Sequence, residues 1–217
     1  MFRVNRTYPA PVSLSRKLRY DGPDVHEALQ ECFFGKCYIC ENKDPLDINI
    51  EHFVSRKIDD EKSYDWDNLY LSCGRCNNIK LAKHDELLDC CNEAVWNRIK
   101  LLPGFSAKTK KVTVEPLFHD NKTITTADLL EKVYNSDHTI NKRLTSAALR
   151  SQITKTTQKL IRNIIEYYED DTPNDRKLYL IEKIKVMIRR DAKFSAFCRW
   201  IVLDDAELCE ILEPFMD

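Results

Sequence analysis

The sequence predicts an α+β, mostly helical fold in which a small cysteine-stapled unit is followed by a helical C-terminal region. Two Cys-x-x-Cys pairs, Cys37 with Cys40 and Cys73 with Cys76, lie 33 residues apart. Between them Leu46, Ile48 and Ile50 alternate with other residues at the period of a strand. Beyond residue 120 the apolar positions recur every three or four residues, the period of a helix.

From the N-terminus, Asp24 to Phe34 predicts a short helix, because Val25, Leu29, Cys32 and Phe33 share a face after Pro23, and Gly35 ends it. Residues 36 to 84 hold both cysteine pairs and the alternating strand. Leu87 to Leu102 predicts a helix stopped by Pro103 and Gly104, and Lys110 to Glu115 a short strand. A helix with a Thr-led start follows over Thr126 to Val133. A longer one runs from about Asn141 to Tyr168, with Leu144, Ala148, Ile153, Leu160, Ile161, Ile164 and Tyr168 mostly on one side. Thr172 and Pro173 suit the N-cap and first position of the next helix, whose Leu178, Ile181, Ile184 and Ile188 form a core stripe. Phe194 to Leu203 and Asp204 to Leu212 complete the helical part, and Pro214 disfavours continuation. The pattern divides the chain into residues 1–86, a helix plus the cysteine unit, and residues 87–217, mainly helical.

With 217 residues, 43% hydrophobic and 32% charged, the chain has the composition of a soluble globular protein. Apolar runs such as Trp200 to Leu203 are too short to span a bilayer, and Met1 to Arg19 has no apolar stretch behind its five basic residues. A cytoplasmic location is the expectation, with no membrane partner. A net charge of -1 argues against a free-standing basic nucleic-acid binder. The charge is nevertheless blocked: residues 1–20, 94–114 and 138–165 carry basic residues and no acid, whereas six acids and no base follow Arg199.

Four thiolates in a two-by-two arrangement are what tetrahedral zinc requires. Cys37, Cys40, Cys73 and Cys76 are therefore the expected ligands of a structural Zn2+. A closed four-thiolate site leaves no open coordination position, so catalysis would lie elsewhere. The other cysteines, Cys32, Cys90, Cys91, Cys198 and Cys209, lack ligand spacing and are expected to be buried or incidental. His26, His84, His119 and His138 have no partner at ligand spacing and are expected to be surface or structural residues. Trp66 and Leu69 are expected in the core of the small unit.

Glu51-His52-Phe53 follows the strand, Asn68-Leu69 lies 16 residues on, and Asn77-Asn78-Ile79-Lys80 directly follows the second cysteine pair. These residues, with the cysteines around them, resemble the HNH endonucleases in their zinc-stapled ββα-metal form, over about residues 36 to 84. The resemblance implies a β-hairpin and a helix holding one divalent cation, Mg2+ or Mn2+, against a scissile phosphate. It makes His52 the base that takes a proton from water, since an imidazole can accept one near neutral pH. Glu51 and Asn77 become oxygen ligands of that cation. Asn68 becomes the central Asn that pins the loop carrying the histidine, and Lys80 a contact to the substrate phosphate. Glu51 stands where Asp is common and Asn77 where His is common; both keep an oxygen ligand. Adjacent strand residues face opposite ways, so the strand must end or twist for Glu51 and His52 to meet one phosphate.

A second resemblance spans more of the chain. The helix leading into KCYICE, the Glu-His-Phe centre, the stretch TADLLEKVYNSDHTINKRLTSAALR and the long helix after it look like the PtuB nuclease subunits of Septu-type anti-phage systems, some of which accompany retrons. It implies an effector of antiviral defence acting on nucleic acid, DNA favoured over RNA. It also implies an ABC- or SMC-like ATPase partner of the PtuA type docked on the helical region, and in some systems a retron reverse transcriptase with its nucleic acid. A noncatalytic zinc-ribbon module would explain the cysteines without Glu51-His52 and Asn77, and an ATPase adaptor the helices without the phosphate chemistry.

Overall fold

A computed structural model describes residues 1–55, 59–81, 86–104, 111–136 and 145–216. Its architecture is mostly helical α+β, with two small antiparallel hairpins. A short helix α1 (Val12–Ser15) precedes α2 (Pro23–Cys32), which starts on Pro23 and buries Val25, Leu29 and Cys32. The chain leaves α2 through two left-handed residues, Phe34 (φ 56°) and Gly35 (φ 67°), and the Gly35 N–H donates back to the Gln30 carbonyl at 2.9 Å.

The first hairpin pairs β1 (Ile48–His52) with β2 (Leu69–Cys73), placing Glu51 opposite Tyr70 and His52 opposite Leu69. Every residue of β2 is buried, because α2 packs against it and the Tyr38 N–H donates to the Leu71 carbonyl at 2.9 Å. Leu46, by contrast, lies outside β1 and is fully exposed. Helix α3 (Gly74–Lys80) leaves β2 without a loop and packs on both strands. A Cβ at Gly74 would stand 2.8 Å from Asp47 Oδ2, so a larger residue there would have to displace the Asp47 side chain.

The segment from Leu87 to Leu102 is not the expected helix. It forms a turn, a 3-10 stretch at Val95–Asn97 and strand β3 (Ile99–Leu102), which pairs with β4 (Thr113–Pro116). Asp89 explains the turn, since its side chain accepts from the backbone N–H of Cys91 at 2.8 Å. Ile99 and Leu101 alternate inward, so a period of two outweighs the helical spacing.

Helix α4 (Asn121–Asn135) begins before the expected Thr126, because Asp120 caps it through the Thr123 N–H at 3.1 Å. Helix α5 (Ser146–Tyr168) is capped by Thr145 and buries Leu149, Ile153, Thr157 and Leu160 on one face. The proposed start at Asn141, with Leu144, lies outside the described residues, as do Lys110, His84 and His138. Helix α6 (Asn174–Ile188) has Pro173 as its N-cap, one residue later than expected. Its buried stripe is Leu180, Ile181, Ile184 and Ile188, whereas Leu178 is 70% exposed. Helices α7 (Ser195–Leu203) and α8 (Ala206–Leu212) follow, with Pro214 in a closing 3-10 turn.

One buried apolar cluster runs from Phe2 and Leu29 through the cysteine unit to Leu149, Phe197 and Leu212. A buried polar contact crosses it. Glu41, next to Cys40, accepts from the Ala196 N–H at 3.3 Å and from Ser195 Oγ at 3.0 Å, which caps the start of α7 from another part of the chain. Burial would raise the Glu41 carboxyl, but Lys36 and the Met1 amine outweigh it and hold it down at about 2.

Candidate functional site

The four cysteines come together as the spacing predicts. Their sulfurs are buried and lie within 4.8 Å of one another, with Cys40 Sγ and Cys73 Sγ 3.9 Å apart. A tetrahedron with metal–sulfur bonds of about 2.3 Å has edges of about 3.8 Å, so the cluster fits a zinc-like ion. A disulfide would need sulfurs about 2.05 Å apart, and all nine cysteines are free. Two ligands come from the turn after α2, one from the end of β2 and one from α3, so an ion there would join three elements.

Strand β1 ends at His52, and the chain beyond it is held by Asn68. The Asn68 Oδ1 accepts from the Val54 N–H at 2.7 Å, while its Nδ2 donates to the Val54 carbonyl at 3.0 Å and to the Lys62 carbonyl at 3.2 Å. This two-way clamp on Val54 fixes the loop just past the histidine. The His52 Nε2 lies 3.1 Å from the Ser63 carbonyl. A carbonyl only accepts, so in the neutral ring Nε2 carries the hydrogen and Nδ1 the lone pair. The Tyr20 ring packs edge-on against the imidazole, centroids 4.9 Å apart. Tyr20 and Ser63 were not legible as site residues: Ser63 acts through its backbone, and Tyr20 belongs to no motif.

Glu51 turns inward. It is 5% exposed, with Oε1 2.7 Å from Lys80 Nζ and 3.3 Å from the Tyr38 hydroxyl, which donates to it. Its other oxygen, Oε2, is buried with no hydrogen-bond partner among the described residues. Burial pushes the carboxyl up to about 7, against the pull of Lys80. Lys80 differs from the expected phosphate contact. It is 1% exposed, and its ammonium also donates to the carbonyls of His52 at 3.2 Å and Phe53 at 2.9 Å. Three oxygens thus hold Lys80 across the end of β1, where it braces the backbone of the histidine. Asn77, half-buried on α3, makes no side-chain hydrogen bond to another described residue. The Glu51 Oε2 and the Asn77 amide oxygen are of the type a hard cation takes, while Lys80 occupies the other Glu51 oxygen.

Lys80→Met is expected to destabilise the protein by about 3–5 kcal/mol, because it leaves Glu51 buried and unpaired. The double replacement Glu51→Leu with Lys80→Met should recover part of that loss, since the His52 and Phe53 carbonyls lose their donor in both variants. Urea unfolding of metal-loaded protein measures both; equal losses in the single and double variants would refute the pairing.

Trp66 and Leu69 are buried as expected, and Trp66 Nε1 donates to the Thr7 carbonyl at 3.1 Å. His26 and His119 are not part of the cysteine cluster. No described helix is long and apolar enough to cross a membrane.

Residues 37–83 match the family model of the HNH endonucleases, and this span includes the four cysteines, Glu51, His52, Asn68, Asn77 and Lys80. No curated protein matches the chain. The match supports nuclease activity in general and agrees with a hairpin and helix gathered around a cysteine cluster that could hold a metal ion.

Proposed function

We propose that this chain is a metal-dependent HNH endonuclease that hydrolyses phosphodiester bonds of nucleic acid, DNA by preference. The position of His52 carries this reading: at the end of β1, with Nε2 held at the Ser63 carbonyl, its neutral imidazole keeps the lone pair on Nδ1. His52 takes the proton of the attacking water. As the ring becomes cationic, its Nε2–H bond to Ser63 strengthens, since a charged donor binds a carbonyl more tightly than a neutral one. Asn68 and Lys80 keep the loop and backbone of the base in place. Glu51 and Asn77 would hold Mg2+ or Mn2+, which supplies positive charge to the phosphate and the leaving oxygen. Cys37, Cys40, Cys73 and Cys76 hold Zn2+ as a structural ion. Cleavage of plasmid DNA and of single-stranded RNA by the metal-loaded protein, with and without Mg2+, is the direct test. No cleavage of either in the presence of its partner would sink the reading.

Residues 1–86 form the nuclease part and residues 87–217 the part that docks an ATPase of the ABC or SMC-like type, within a cytoplasmic complex for antiviral defence. Exposed apolar side chains on α6, Leu178 at 70% and Val186 at 59%, support a contact surface there. The shared core means that deleting helices would unfold the chain, so surface changes are the useful probe. Leu178→Asp with Val186→Asp is expected to abolish copurification with the ATPase while metal content stays normal. Undiminished copurification would move the docking surface elsewhere.

A further inference from the structure

Lys80, the cation expected at the substrate phosphate, is held inside the protein by Glu51 and two carbonyls, so a different cation must meet the substrate backbone. The segments that touch the His52 ring differ in charge. The one that supplies the Ser63 carbonyl carries Asp59 and Glu61, and its Lys62 pairs with Asp59 at 3.7 Å. A polyanion gains little there. Another reaches the ring through Tyr20, and the four residues before Tyr20 are Arg16, Lys17, Leu18 and Arg19, all of them exposed. Consecutive Cα atoms are about 3.8 Å apart, so the Lys17 Cα lies within about 11 Å of the Tyr20 Cα. This turn stands outside the span 37–83 that matches the HNH model.

The backbone of the turn is the cap of α1. The Lys17 N–H donates to the Leu14 carbonyl at 2.8 Å and the Leu18 N–H to the Ser13 carbonyl at 3.0 Å, the paired bonds of a Schellman motif. That motif places a left-handed residue just past the helix, and here it is Lys17 at φ 52°. Glycine takes this conformation without the steric cost that a Cβ brings. The motif also commonly packs its last residue on the third position from the helix end, which here is Ser13; Leu18 finds no apolar mate there and is 64% exposed. A lysine kept where the backbone favours glycine points to a use for its side chain. Neither Arg16 nor Lys17 pairs its side chain with another described residue. Arg19 is different, since Asp21 accepts from its Nε at 3.0 Å and its Nη2 at 3.2 Å. Asp24 is engaged too, accepting from the Ser13 N–H at 3.0 Å.

We propose that the turn Arg16–Arg19 is the grip on the substrate backbone, with Arg16 and Lys17 binding two phosphates beside the scissile one. This rests on the nuclease reading and names the surface that holds the substrate. Along one strand of duplex DNA the rise is about 3.4 Å per nucleotide, so the 11 Å reach from Tyr20 covers about three steps. The guanidinium of Arg16 suits a bidentate contact and the ammonium of Lys17 a point contact. Tyr20, packed against His52, ties the grip to the base that acts on the bond between those steps. Two contacts also suit a chain of net charge -1, which binds locally without the broad basic face of a free-standing nucleic-acid binder.

The test measures binding of a labelled DNA duplex of about 20 base pairs to the zinc-loaded full chain, without Mg2+, across a series of salt concentrations. Each phosphate contact contributes about 0.9 to the slope of log affinity against log salt, so Arg16→Gln with Lys17→Gly should lower the slope by about 1.8 and the affinity at 0.1 M salt by about 60-fold. Lys17→Gly alone should melt at or near the native temperature, because glycine suits φ 52°, and should still lower the slope by about 0.9. Leu18→Ser, which removes no charge, should leave the slope unchanged. With Mg2+ present, the double variant should raise KM by more than about 10-fold and alter kcat by less than about 3-fold. An unchanged slope in the double variant, an equal drop in Leu18→Ser, or a native chain with no salt-dependent binding would each overturn the proposal. A native chain that binds with the expected loss of slope in the variants, yet never cuts with Mg2+, supports the grip and sinks the nuclease reading instead.

Discussion

Cys73→Ser is expected to release the structural metal and unfold the hairpin with its helix. Cys73 ends β2 and stands at the N-cap of α3, so its sulfur ties the hairpin to the helix that carries Lys80 and Asn77. Structural zinc contributes roughly 10–16 kcal/mol of apparent binding energy near neutral pH. A whole domain is stable by only about 5–15 kcal/mol, so losing even a part of the metal term exceeds what the small unit can spare. The fully buried thiols offer no alternative partner that would replace the ion. Elemental analysis after gel filtration should find about one zinc per native chain and far less in the variant, with a lowered melting temperature. Cys209→Ser, on the periphery of α8, serves as the control and should change neither. A Cys73→Ser chain with full metal and native melting would remove the four-thiolate site from consideration.

His52→Ala is expected to reduce cleavage by about 100- to 10,000-fold, the usual contribution of a general base. Zinc content and melting temperature should stay near native values, because the cysteines, the Asn68 clamp and the Lys80 brace do not use the imidazole side chain. The bonds from Lys80 reach the carbonyls of His52 and Phe53, which alanine retains. Loss of activity with loss of metal would indicate unfolding, whereas near-native cleavage would remove His52 from the chemistry. The two variants therefore separate the structural ion from the reacting centre.

Sequence spacing was most informative where the chemistry is local. The cysteine pairs were legible because two ligands on one tight turn commonly have two residues between them, and two such turns make a tetrahedron. Glu51, His52 and Asn68 stood out through their order between those pairs, and Asn68 bonds the Val54 backbone in both directions. Lys80 was misplaced because a lysine reads as solvent-seeking until the crossing of α3 over β1 shows three oxygens waiting for it. The Leu87 to Leu102 segment was misread because apolar residues spaced for a helix also allow alternation, and only pairing with Thr113–Pro116 decides. On α6 the choice between Leu178 and Leu180 depended on which face meets α5 and α7, a tertiary fact that a two-faced stripe does not contain.

The cap that Glu41 places on α7 has a genetic consequence. Because this residue follows directly on Cys40, losing the ion disturbs the start of α7 as well as the nuclease unit. If the helical region docks a partner, a metal-ligand mutant loses cutting and docking together and leaves complexes to the wild-type copy. Such alleles should be recessive. His52→Ala keeps the docking surface and removes only the chemistry, so it should occupy partners unproductively and behave as dominant negative when coexpressed with the wild type.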